Sequence, residues 1–425
     1  MDLWKNYSNE QLLNLKESCG KAYAELKARG LKLDMSRGKP SPDILDMSNG
    51  LLGTLSSPIS EDGTDARNYG VPTGLAECRR LFSELLGIPE GLIIIGNNAS
   101  LELMHNFYSR LYLFGTLGNE PWSKLNSVKF LCPSPGYDRH FAVSNAFGTE
   151  MIPVTMTEDG PDMDEVEDLV REDDSVKGIW CVPLYSNPQG VVYSDETVRR
   201  LAQMKTRAKD FRIFWDNAYG LHHVFGENSI ADIFKSAAET GNEDRIYYFF
   251  STSKITFPGG GIGLAAASPA NIAEQCKHIS VQTIGYDKLN QLRFVRYFKT
   301  AENIRRHMSA IGDMLRPKFE IVLNMLESEL GGTGLVTWIR PKGGYFIGVD
   351  TMEGCAKAVV ALAKEAGATL TNAGATFPRG VDPKDTSIRI APTYPAQDEL
   401  SSAMRLFCLC VKLVSIDKIL SERSA

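Results

Sequence analysis

Residues Tyr247–Ser268 read YYFFSTSKITFPGGGIGLAAAS. The aromatic run at the start predicts a buried strand, which gives way to small hydroxyl residues, one lysine and three consecutive glycines. Burying an unpaired ammonium is costly, or it forces the group to lose its proton. Lys254 therefore either points to solvent from an ordinary turn or takes part in chemistry.

Strand-like and helix-like segments alternate along the first two thirds of the chain. Short β-branched or aromatic runs are separated by longer amphipathic segments such as 194–210, where Ser194 is placed to cap a helix. This alternation predicts an α/β fold with a mostly parallel sheet and helices on both faces. The predicted strands include LIIIG (92–96), VKFLCPSPG (128–136), VKGIWCVPLYSNPQG (176–190), FRIFWDNAYG (211–220) and RIYYFFSTSK (245–254).

The pattern changes from Leu289 onwards. Residues 289–330 predict long helices. Two later segments, 334–350 and 386–395, predict strands around a helix at 355–367. Together they indicate a smaller α+β unit.

The N-terminal segment MDLWKNYSNEQLLNLKESCGKAYAELKARG predicts an amphipathic helix. It does not resemble a signal peptide, because no basic stretch is followed by an unbroken apolar run. The helix has no partner of its own in the α/β region, so we expect it to pack against the smaller unit. The expected division is a large domain at 48–295 and a small domain made of 1–47 and 296–425.

Composition and charge argue against several classes of protein. The net charge of −6 and the lack of a Lys/Arg run argue against nucleic-acid binding. No apolar run approaches the ~20 residues that a membrane-spanning helix needs. The eight cysteines are scattered without a C-x-x-C pair, which fits reduced thiols in a cytoplasmic protein. His222 and His223 have no third ligand at a useful spacing, so we expect no metal site.

Unusual residues follow five of the predicted strands, at the edge where open parallel sheets bind ligands. The Gly-Asn-Asn-Ala turn and the helix after it could hold a phosphate, although an ordinary N-cap turn explains it as well. Tyr137 offers a stacking surface or belongs to a proline-rich turn, and Asn187 before a proline is a common turn starter. The residues at these five strand ends are Asn97, Asn98, Ala99, Tyr137, His140, Asn187, Asp216, Tyr219, Ser251, Ser253 and Lys254.

Asp216 is the strongest of these signals. It directly follows Ile-Phe-Trp at the end of a buried strand, and a buried carboxylate needs a partner. That partner is either a structural arginine or a cationic ring nitrogen of a bound ligand. Tyr219 is close enough in sequence to point into the same pocket.

One cofactor accounts for all five strand ends together. Pyridoxal 5′-phosphate needs an amine for a Schiff base, a carboxylate that keeps its pyridine nitrogen protonated, and an aromatic ring to stack on. It also needs donors at its phenolate oxygen and an anion cradle at its phosphate. We therefore expect this cofactor at the carboxyl edge of the sheet.

The set resembles the fold-type I aminotransferases of the aspartate aminotransferase superfamily, over nearly the whole chain and in the same order. The resemblance implies a mostly parallel seven-stranded sheet in the large domain. Lys254 matches the Schiff-base lysine, and Asp216 matches the partner of the pyridine nitrogen. Asn187 and Tyr219 match the residues at the phenolate oxygen. Arg389 in SIRIAP matches the arginine that grips the substrate α-carboxylate as a bidentate fork.

Other positions match the surroundings of the cofactor. Ser251 matches a phosphate ligand, and Ser253 and the turn 97–99 are expected near it. Tyr137 takes the place of the stacking aromatic residue, and His140 that of a histidine behind the aspartate. Tyr69 in NYGVPTG matches a tyrosine that reaches the phosphate of the neighbouring subunit, which implies a homodimer with shared active sites.

The segments SRGKPSPDILDMS, ARNYGVPTG, FFSTSKITFPGGG and YDKLNQLR resemble one branch of this superfamily. That branch groups MocR-type regulators with bacterial aspartate aminotransferases of subgroup Ic. MocR-type regulators carry an N-terminal DNA-binding winged helix, and the residues before Ser36 are too few for that module. We therefore expect a free-standing enzyme rather than a non-catalytic regulator that binds the cofactor.

The glycine-rich stretch departs from the family pattern. Most relatives have an arginine near the phosphate in a G-x-R-x-G stretch after the lysine, whereas this chain has PGGGIG. Another cation is then needed, and Lys288 from the partner subunit is the first candidate. Arg293 is the second, although a surface helix charge explains it as well. The glycines would also let the backbone approach the phosphate closely.

The resemblance implies a transaminase that moves an amino group between an L-amino acid and a 2-oxo acid. Lys254 would act as general base and acid. Arg389 and a backbone N–H near Gly38 would hold the α-carboxylate. Arg37 or Lys39 would bind a distal carboxylate, so we expect L-aspartate and 2-oxoglutarate. An aminotransferase for alanine or aromatic amino acids, or a lyase on the same fold, is the alternative.

Overall fold

The structure, a computed structural model, describes residues 3–424. The α-helices within that range are α1 (Asn9–Ala28), α2 (Pro42–Asp46), α3 (Ala76–Leu86), α4 (Ser100–Phe114), α5 (Asp138–Ala146), α6 (Met163–Glu172), α7 (Asp195–Gln203), α8 (Ile233–Ala238), α9 (Pro269–Gln282), α10 (Lys288–Phe298), α11 (Ala301–Leu330), α12 (Ala356–Glu365) and α13 (Gln397–Ser424). The strands are β1 (Leu33–Asp34), β2 (Ile93–Ile95), β3 (Lys129–Ser134), β4 (Glu150–Thr157), β5 (Gly160–Pro161), β6 (Val176–Cys181), β7 (Arg212–Asp216), β8 (Ile246–Ser251), β9 (Gly263–Ala266), β10 (Val336–Trp338), β11 (Ile347–Thr351), β12 (Ala368–Thr369) and β13 (Ser387–Ile390).

The large sheet has the strand order β2-β9-β8-β7-β6-β3-β4-β5. The five strands from β8 to β4 are parallel to one another, and β9 lies antiparallel between β2 and β8. The sheet is therefore mostly parallel, as the alternating pattern predicts. Seven of its strands have three or more residues, and the two-residue β5 adds an eighth at the edge, antiparallel to β4.

Both faces of the central part of this sheet are covered, so β6, β7 and β8 are buried along their whole length, whereas β4 near the edge has exposed positions. Phe214 and Phe249 point to one face, where they pack with Phe107 of α4. Trp215 and Phe250 belong to the core on the other face. A strand buried on both sides has only its end available for polar side chains, so the chemistry is confined to the strand ends.

The C-terminal strands and the N-terminal segment form two smaller sheets. Strands β10, β11 and β13 make an antiparallel sheet in that order, and β1 pairs in parallel with β12. Helix α1 packs against α13, which also packs against α11. The N-terminal segment thus lies with the C-terminal elements, because its apolar side, which includes Leu12 and Leu26, is buried there.

Over residues 3–424, none of the helices combines the length and the apolar character that crossing a membrane requires.

Candidate active site

The carboxyl ends of β7 and β8 place an acid and a lysine side by side. The register pairs Asp216, the last residue of β7, with Phe249 of β8, and Lys254 follows shortly after β8 ends at Ser251. Lys254 lines a cavity of about 420 Å³. Its Nζ lies 5.1 Å from the centre of the Tyr219 ring and 5.8 Å from that of Tyr345. Lys254 therefore faces a pocket rather than bulk solvent.

Asp216 is buried beneath this cavity and hydrogen-bonded on one side only. Its Oδ2 lies 3.0 Å from His140 Nε2. The His140 ring stacks on Trp180, with ring centres 4.5 Å apart and planes 11° from parallel. The histidine is thus fixed by packing and orients the carboxylate. No structural arginine pairs with Asp216 among residues 3–424, which was the competing explanation for this acid.

Arg389 enters the same cavity from β13 of the smaller sheet. Its Nη1 donates to Asn187 Oδ1 at 3.1 Å and lies 3.3 Å from Asp138 Oδ1. Its Nε and Nη2 both donate to Thr371 Oγ1, and its guanidinium lies 4.8 Å from the centre of the Phe346 ring. These contacts fix a cationic fork opposite Lys254, which suits a carboxylate ligand.

Asp216 Oδ1 and Asn187 Nδ2 are among the buried polar atoms that have no hydrogen-bond partner in the described residues, and both belong to this site. Burying such groups unpaired is unfavourable, so they indicate a ligand that pairs with both. The free carboxylate oxygen suits a protonated ring nitrogen, and the free amide N–H suits an oxygen acceptor. Both requirements, with a lysine amine between aromatic rings, fit pyridoxal 5′-phosphate.

Burial and nearby charges set the ionisation of the central groups. Desolvation lowers the pKa of Lys254, the Asp216 carboxylate opposes this effect, and Arg389 adds to it. Desolvation also raises the pKa of Tyr219 well above its usual value and that of Tyr137 to about 12. Both phenols are therefore protonated donors near neutral pH, and the lysine loses its proton more readily than an exposed one.

The turn predicted to hold a phosphate lies beside the loop that follows the lysine. Ser253 Oγ donates to Asn98 O at 3.3 Å, and Asn98 Nδ2 donates to Pro258 O at 3.0 Å. Asn97 and Asn98 line a second cavity of about 410 Å³. Ala99 is the residue before α4, and Ser251 closes β8, paired with Gly263. The side-chain amide of Asn98 is already hydrogen-bonded to the loop after Lys254. An anion at this turn would therefore be bound by backbone N–H groups.

The loop expected to cover the substrate lies at the mouth of the first cavity. Arg37 and Gly38 line it, and a Cβ on Gly38 would come within 2.3 Å of the Phe346 ring. Only glycine permits this close approach. Lys39 does not line the cavity, and its Nζ instead sits 3.9 Å from the centre of the Tyr394 ring. Of the two predicted cations, the structure brings only Arg37 to the cavity.

Two further predicted residues lie away from both cavities within this chain. Tyr69 is 80% exposed, although it was expected at a phosphate. Lys288 Nζ donates to Gly70 O at 3.1 Å and is buried. Lys288 thus contacts the residue that follows Tyr69, and neither Tyr69 nor Lys288 lines either cavity of its own chain.

The histidine pair singled out in the sequence serves two separate contacts. His222 Nε2 lies 3.3 Å from Lys254 O, and burial lowers the pKa of His222 to about 3. His223 Nδ1 lies 2.6 Å from the Tyr185 hydroxyl. Within residues 3–424, no group of three or more His, Cys, Asp and Glu side chains could hold a metal ion.

Sequence reasoning missed several residues of the site. Asp138 and Arg139 both line the cavity and lie inside the quoted segment GYDRH, so their position could have drawn attention to them. Thr371 and Phe346 carry no comparable signal, because Phe346 reaches Arg389 through the pairing of β11 with β13 and Thr371 reaches it through long-range packing.

The family model described as aspartate amino-transferase matches residues 7–423. A protein of Corynebacterium glutamicum named aspartate aminotransferase is 42% identical over 417 residues, which cover 97% of this chain and 96% of the relative.

Solved structures agree with this match. The crystal structure of an aspartate transaminase from Corynebacterium glutamicum superposes with a TM-score of 0.96 at 41% identity, covering 98% of this chain and 99% of the other. LysN, an α-aminoadipate aminotransferase of Thermus thermophilus complexed with N-(5′-phosphopyridoxyl)-L-leucine, superposes with a TM-score of 0.74 at 21% identity, covering 93% of this chain and 95% of the other. The second likeness concerns the fold alone.

Proposed function

This chain belongs to the aspartate aminotransferase family and is a transaminase that uses pyridoxal 5′-phosphate, and we propose that it transfers the amino group of L-aspartate to 2-oxoglutarate. The observation that carries the proposal is the meeting of Lys254, Asp216, Asn187 and Arg389 around one cavity. When bound, the cofactor supplies an electron sink for the pair of electrons left on the substrate Cα as its proton departs.

Lys254 is the proposed general base and acid. Its lowered pKa makes the neutral amine available to take the proton from the substrate Cα, and the ammonium so formed would then donate that proton at the carbon that was the cofactor's aldehyde carbon. Asp216 would hold a positive charge on the cofactor ring through its unpaired Oδ1, and His140 fixes that carboxylate in place. Asn187 Nδ2 and the Tyr219 hydroxyl would donate to the phenolate oxygen.

Arg389 is the proposed site of the substrate α-carboxylate, because its fork is already fixed by Asn187 and Thr371. Tyr137, which lines the same cavity, would lie against the cofactor ring. The turn Asn97, Asn98 and Ala99, with Ser251 and Ser253, would hold the phosphate through backbone N–H and hydroxyl groups.

The distal carboxylate of aspartate needs a second cation, and Arg37 is the better placed of the two predicted ones. It lines the cavity together with Gly38, which would contribute the backbone contact to the substrate. Lys39 is engaged with Tyr394. Arg139 also lines the cavity, and both arginines are exposed, so solvent weakens the field of either one; the adjacent Gly38 is what favours Arg37.

We also propose that the enzyme is a cytoplasmic homodimer with shared active sites, in which Tyr69 serves the partner's phosphate. Lys288, the other predicted partner contact, is buried and its Nζ donates to Gly70 O, so we do not assign it to the phosphate. The exposure of the Tyr69 ring supports this assembly, since a large aromatic side chain at the surface often marks an interface. All eight cysteines are unpaired, which supports a reducing compartment. The proposed domain division stays 48–295 for the large domain and 1–47 with 296–425 for the small one.

Absorbance spectroscopy of the holoenzyme tests the proposed substrates. Aspartate alone should convert the visible band of the bound cofactor to that of the pyridoxamine form, and 2-oxoglutarate should restore it. Turnover without any 2-oxo acid would indicate a lyase instead. A band that aspartate leaves unchanged would remove the proposed donor.

Variants of the loop test the proposed distal-carboxylate site. Arg37→Ala should lower kcat/KM for aspartate by about 10- to 100-fold, as expected for a lost charge-assisted hydrogen bond, and leave alanine little changed. Lys39→Ala is the matched control and should have a small effect. If both variants keep the full preference for aspartate over alanine, the assignment of this loop is wrong.

A further inference from the structure

The glycine-rich loop after Lys254 has no space for a long cationic side chain at Gly261. A Cβ on Gly261 would lie 2.9 Å from Thr252 Oγ1 and 3.0 Å from Phe257 O. Thr252 Oγ1 is also committed, because it accepts a hydrogen bond from Ile262 N at 2.8 Å. A long side chain at this position would force the loop to move. The loop that carries an arginine in most relatives is therefore closed to one here.

A guanidinium reaches the same loop from helix α10. Arg293 Nη2 donates to Gly260 O at 3.2 Å. A Cβ on Gly260 would lie only 3.0 Å from that Nη2, so glycine leaves space for the guanidinium. Arg293 Nε is buried and has no partner among the described residues. The arginine thus retains donors that the chain itself does not satisfy.

Asn290 holds this arginine in place. Its Nδ2 donates to Gly261 O at 2.6 Å, and its Oδ1 accepts a hydrogen bond from Arg293 Nη2. One amide therefore joins the arginine to the glycine loop. Because Asn290 lies one helical turn before Arg293 on α10, its side chain fixes the direction in which the guanidinium points.

Arg293 also faces the turn proposed to bind the phosphate. The cavity of about 410 Å³ is lined by Asn97, Asn98, Gly260 and Arg293, and Arg293 is the one cation among the described residues that line it. The acid at its rim, Asp287, is occupied as the cap of α10, where it accepts a hydrogen bond from Asn290 N. Lys288, the other candidate, donates to Gly70 O and does not line this cavity.

We propose that Arg293, positioned by Asn290, binds the phosphate group of pyridoxal 5′-phosphate and takes the place of the missing loop arginine. The inference rests on the proposed position of the phosphate at the turn 97–99. Because Nη2 already donates to Gly260 O and Asn290 Oδ1, the donors of Arg293 that these contacts leave for a phosphate are on Nη1 and Nε, and the guanidinium carries its positive charge at any working pH.

Binding of two aldehydes to the apoenzyme tests this role separately from activity. Pyridoxal and pyridoxal 5′-phosphate differ only in the phosphate, so the ratio of their dissociation constants reports the phosphate contacts. Arg293→Gln should weaken binding of pyridoxal 5′-phosphate by about 10- to 100-fold and leave pyridoxal unchanged. Arg293→Lys should fall between Arg293→Gln and the wild type. Asn290→Ala should change the ratio of the two dissociation constants in the same direction but by less. Adding Asn290→Ala to Arg293→Gln should change the ratio little further, because both substitutions act through the same guanidinium.

Arg296→Gln is the matched control, because Arg296 lies on the same helix but pairs with Glu77. It should leave the ratio unchanged even if it lowers the melting temperature. Equal weakening of both aldehydes in Arg293→Gln, or no weakening of either, would overturn the inference. So would a loss of selectivity in Lys288→Met that Arg293→Gln does not show.

Reduction of the wild-type holoenzyme with borohydride separates this inference from the proposed function. A cofactor fixed to Lys254, found by peptide mass, supports the proposed site whatever Arg293 does. Wild-type protein that carries no cofactor on Lys254 would refute the proposed site itself, and the inference with it.

Discussion

His140 Nε2 donates a hydrogen bond to Asp216 Oδ2 over 3.0 Å, and both side chains are buried. The histidine is clamped against Trp180, so it holds one carboxylate oxygen while the other stays free for a ligand. A carboxylate with one fixed and one free oxygen is well suited to keep a ring nitrogen positively charged.

Asp216→Asn should lower kcat by about 100-fold or more, because it removes the charge that stabilises the cofactor ring in the transition state. His140→Phe keeps the stacking on Trp180 but loses the hydrogen bond to Asp216, and should lower kcat by about 10-fold. Stopped-flow measurement of the aspartate half-reaction checks both values. A loss in His140→Phe as large as that in Asp216→Asn would mean that the histidine does more than position the acid.

Asp138 lies 3.3 Å from Arg389 Nη1, on the fork proposed for the substrate carboxylate. Its charge should compete with the substrate, so Asp138→Asn should lower the inhibition constant of succinate by a few-fold, a modest effect because Asp138 is partly exposed. Arg389→Lys should raise the same constant by about 10- to 100-fold, since the bidentate fork is lost. Titration of the holoenzyme with succinate measures both. Unchanged succinate binding in Asp138→Asn would show that Asp138 does not compete with the substrate.

The pH dependence of cofactor capture should reveal the altered Lys254. The neutral amine is the reactive form, and burial lowers the pKa of Lys254 from the ordinary 10.5. The rate of pyridoxal binding to the apoenzyme should therefore rise with pH and level off below pH 10.5. Asp216→Asn removes a charge that favours the ammonium and should move the curve to lower pH, whereas Arg389→Gln should move it to higher pH. Arg139→Gln, at the exposed mouth, is the control. Shifts of Asp216→Asn and Arg389→Gln in the same direction would contradict the assignment.

Mixed dimers should show whether Tyr69 serves the neighbouring site. Lys254→Ala should be inactive, and Tyr69→Ala should be weakened by loss of a phosphate contact. If the sites are shared, mixing and refolding the two variants gives hybrids with one site that contains both Lys254 and Tyr69. Activity above that of either variant alone is expected. No recovery, or full activity of a monomer in sedimentation, would refute the shared site.

The local sequence pattern was sufficient to predict the fold class and the central residues of the site. Asp216 and Lys254 could be placed together from the sequence, because parallel strands end at one edge and a strand buried on both faces can carry polar residues only there. The periodicity also predicted the α/β class and the smaller α+β unit. It could not show that β9 runs antiparallel between β2 and β8, since a fully buried strand reads the same in either direction.

The direction of individual side chains was decided by the tertiary structure. Arg389 meets Asp138 and Thr371 only because tertiary packing brings β13 beside the start of α5 and the residues after β12. Arg37 faces the cavity while Lys39 turns to Tyr394, although the two are close neighbours in sequence. Arg293 reaches the glycine loop because α10 is rotated to present it there. Sequence spacing places a charge on an element, but long-range packing sets the orientation of that element and therefore the ligand that the charge can reach.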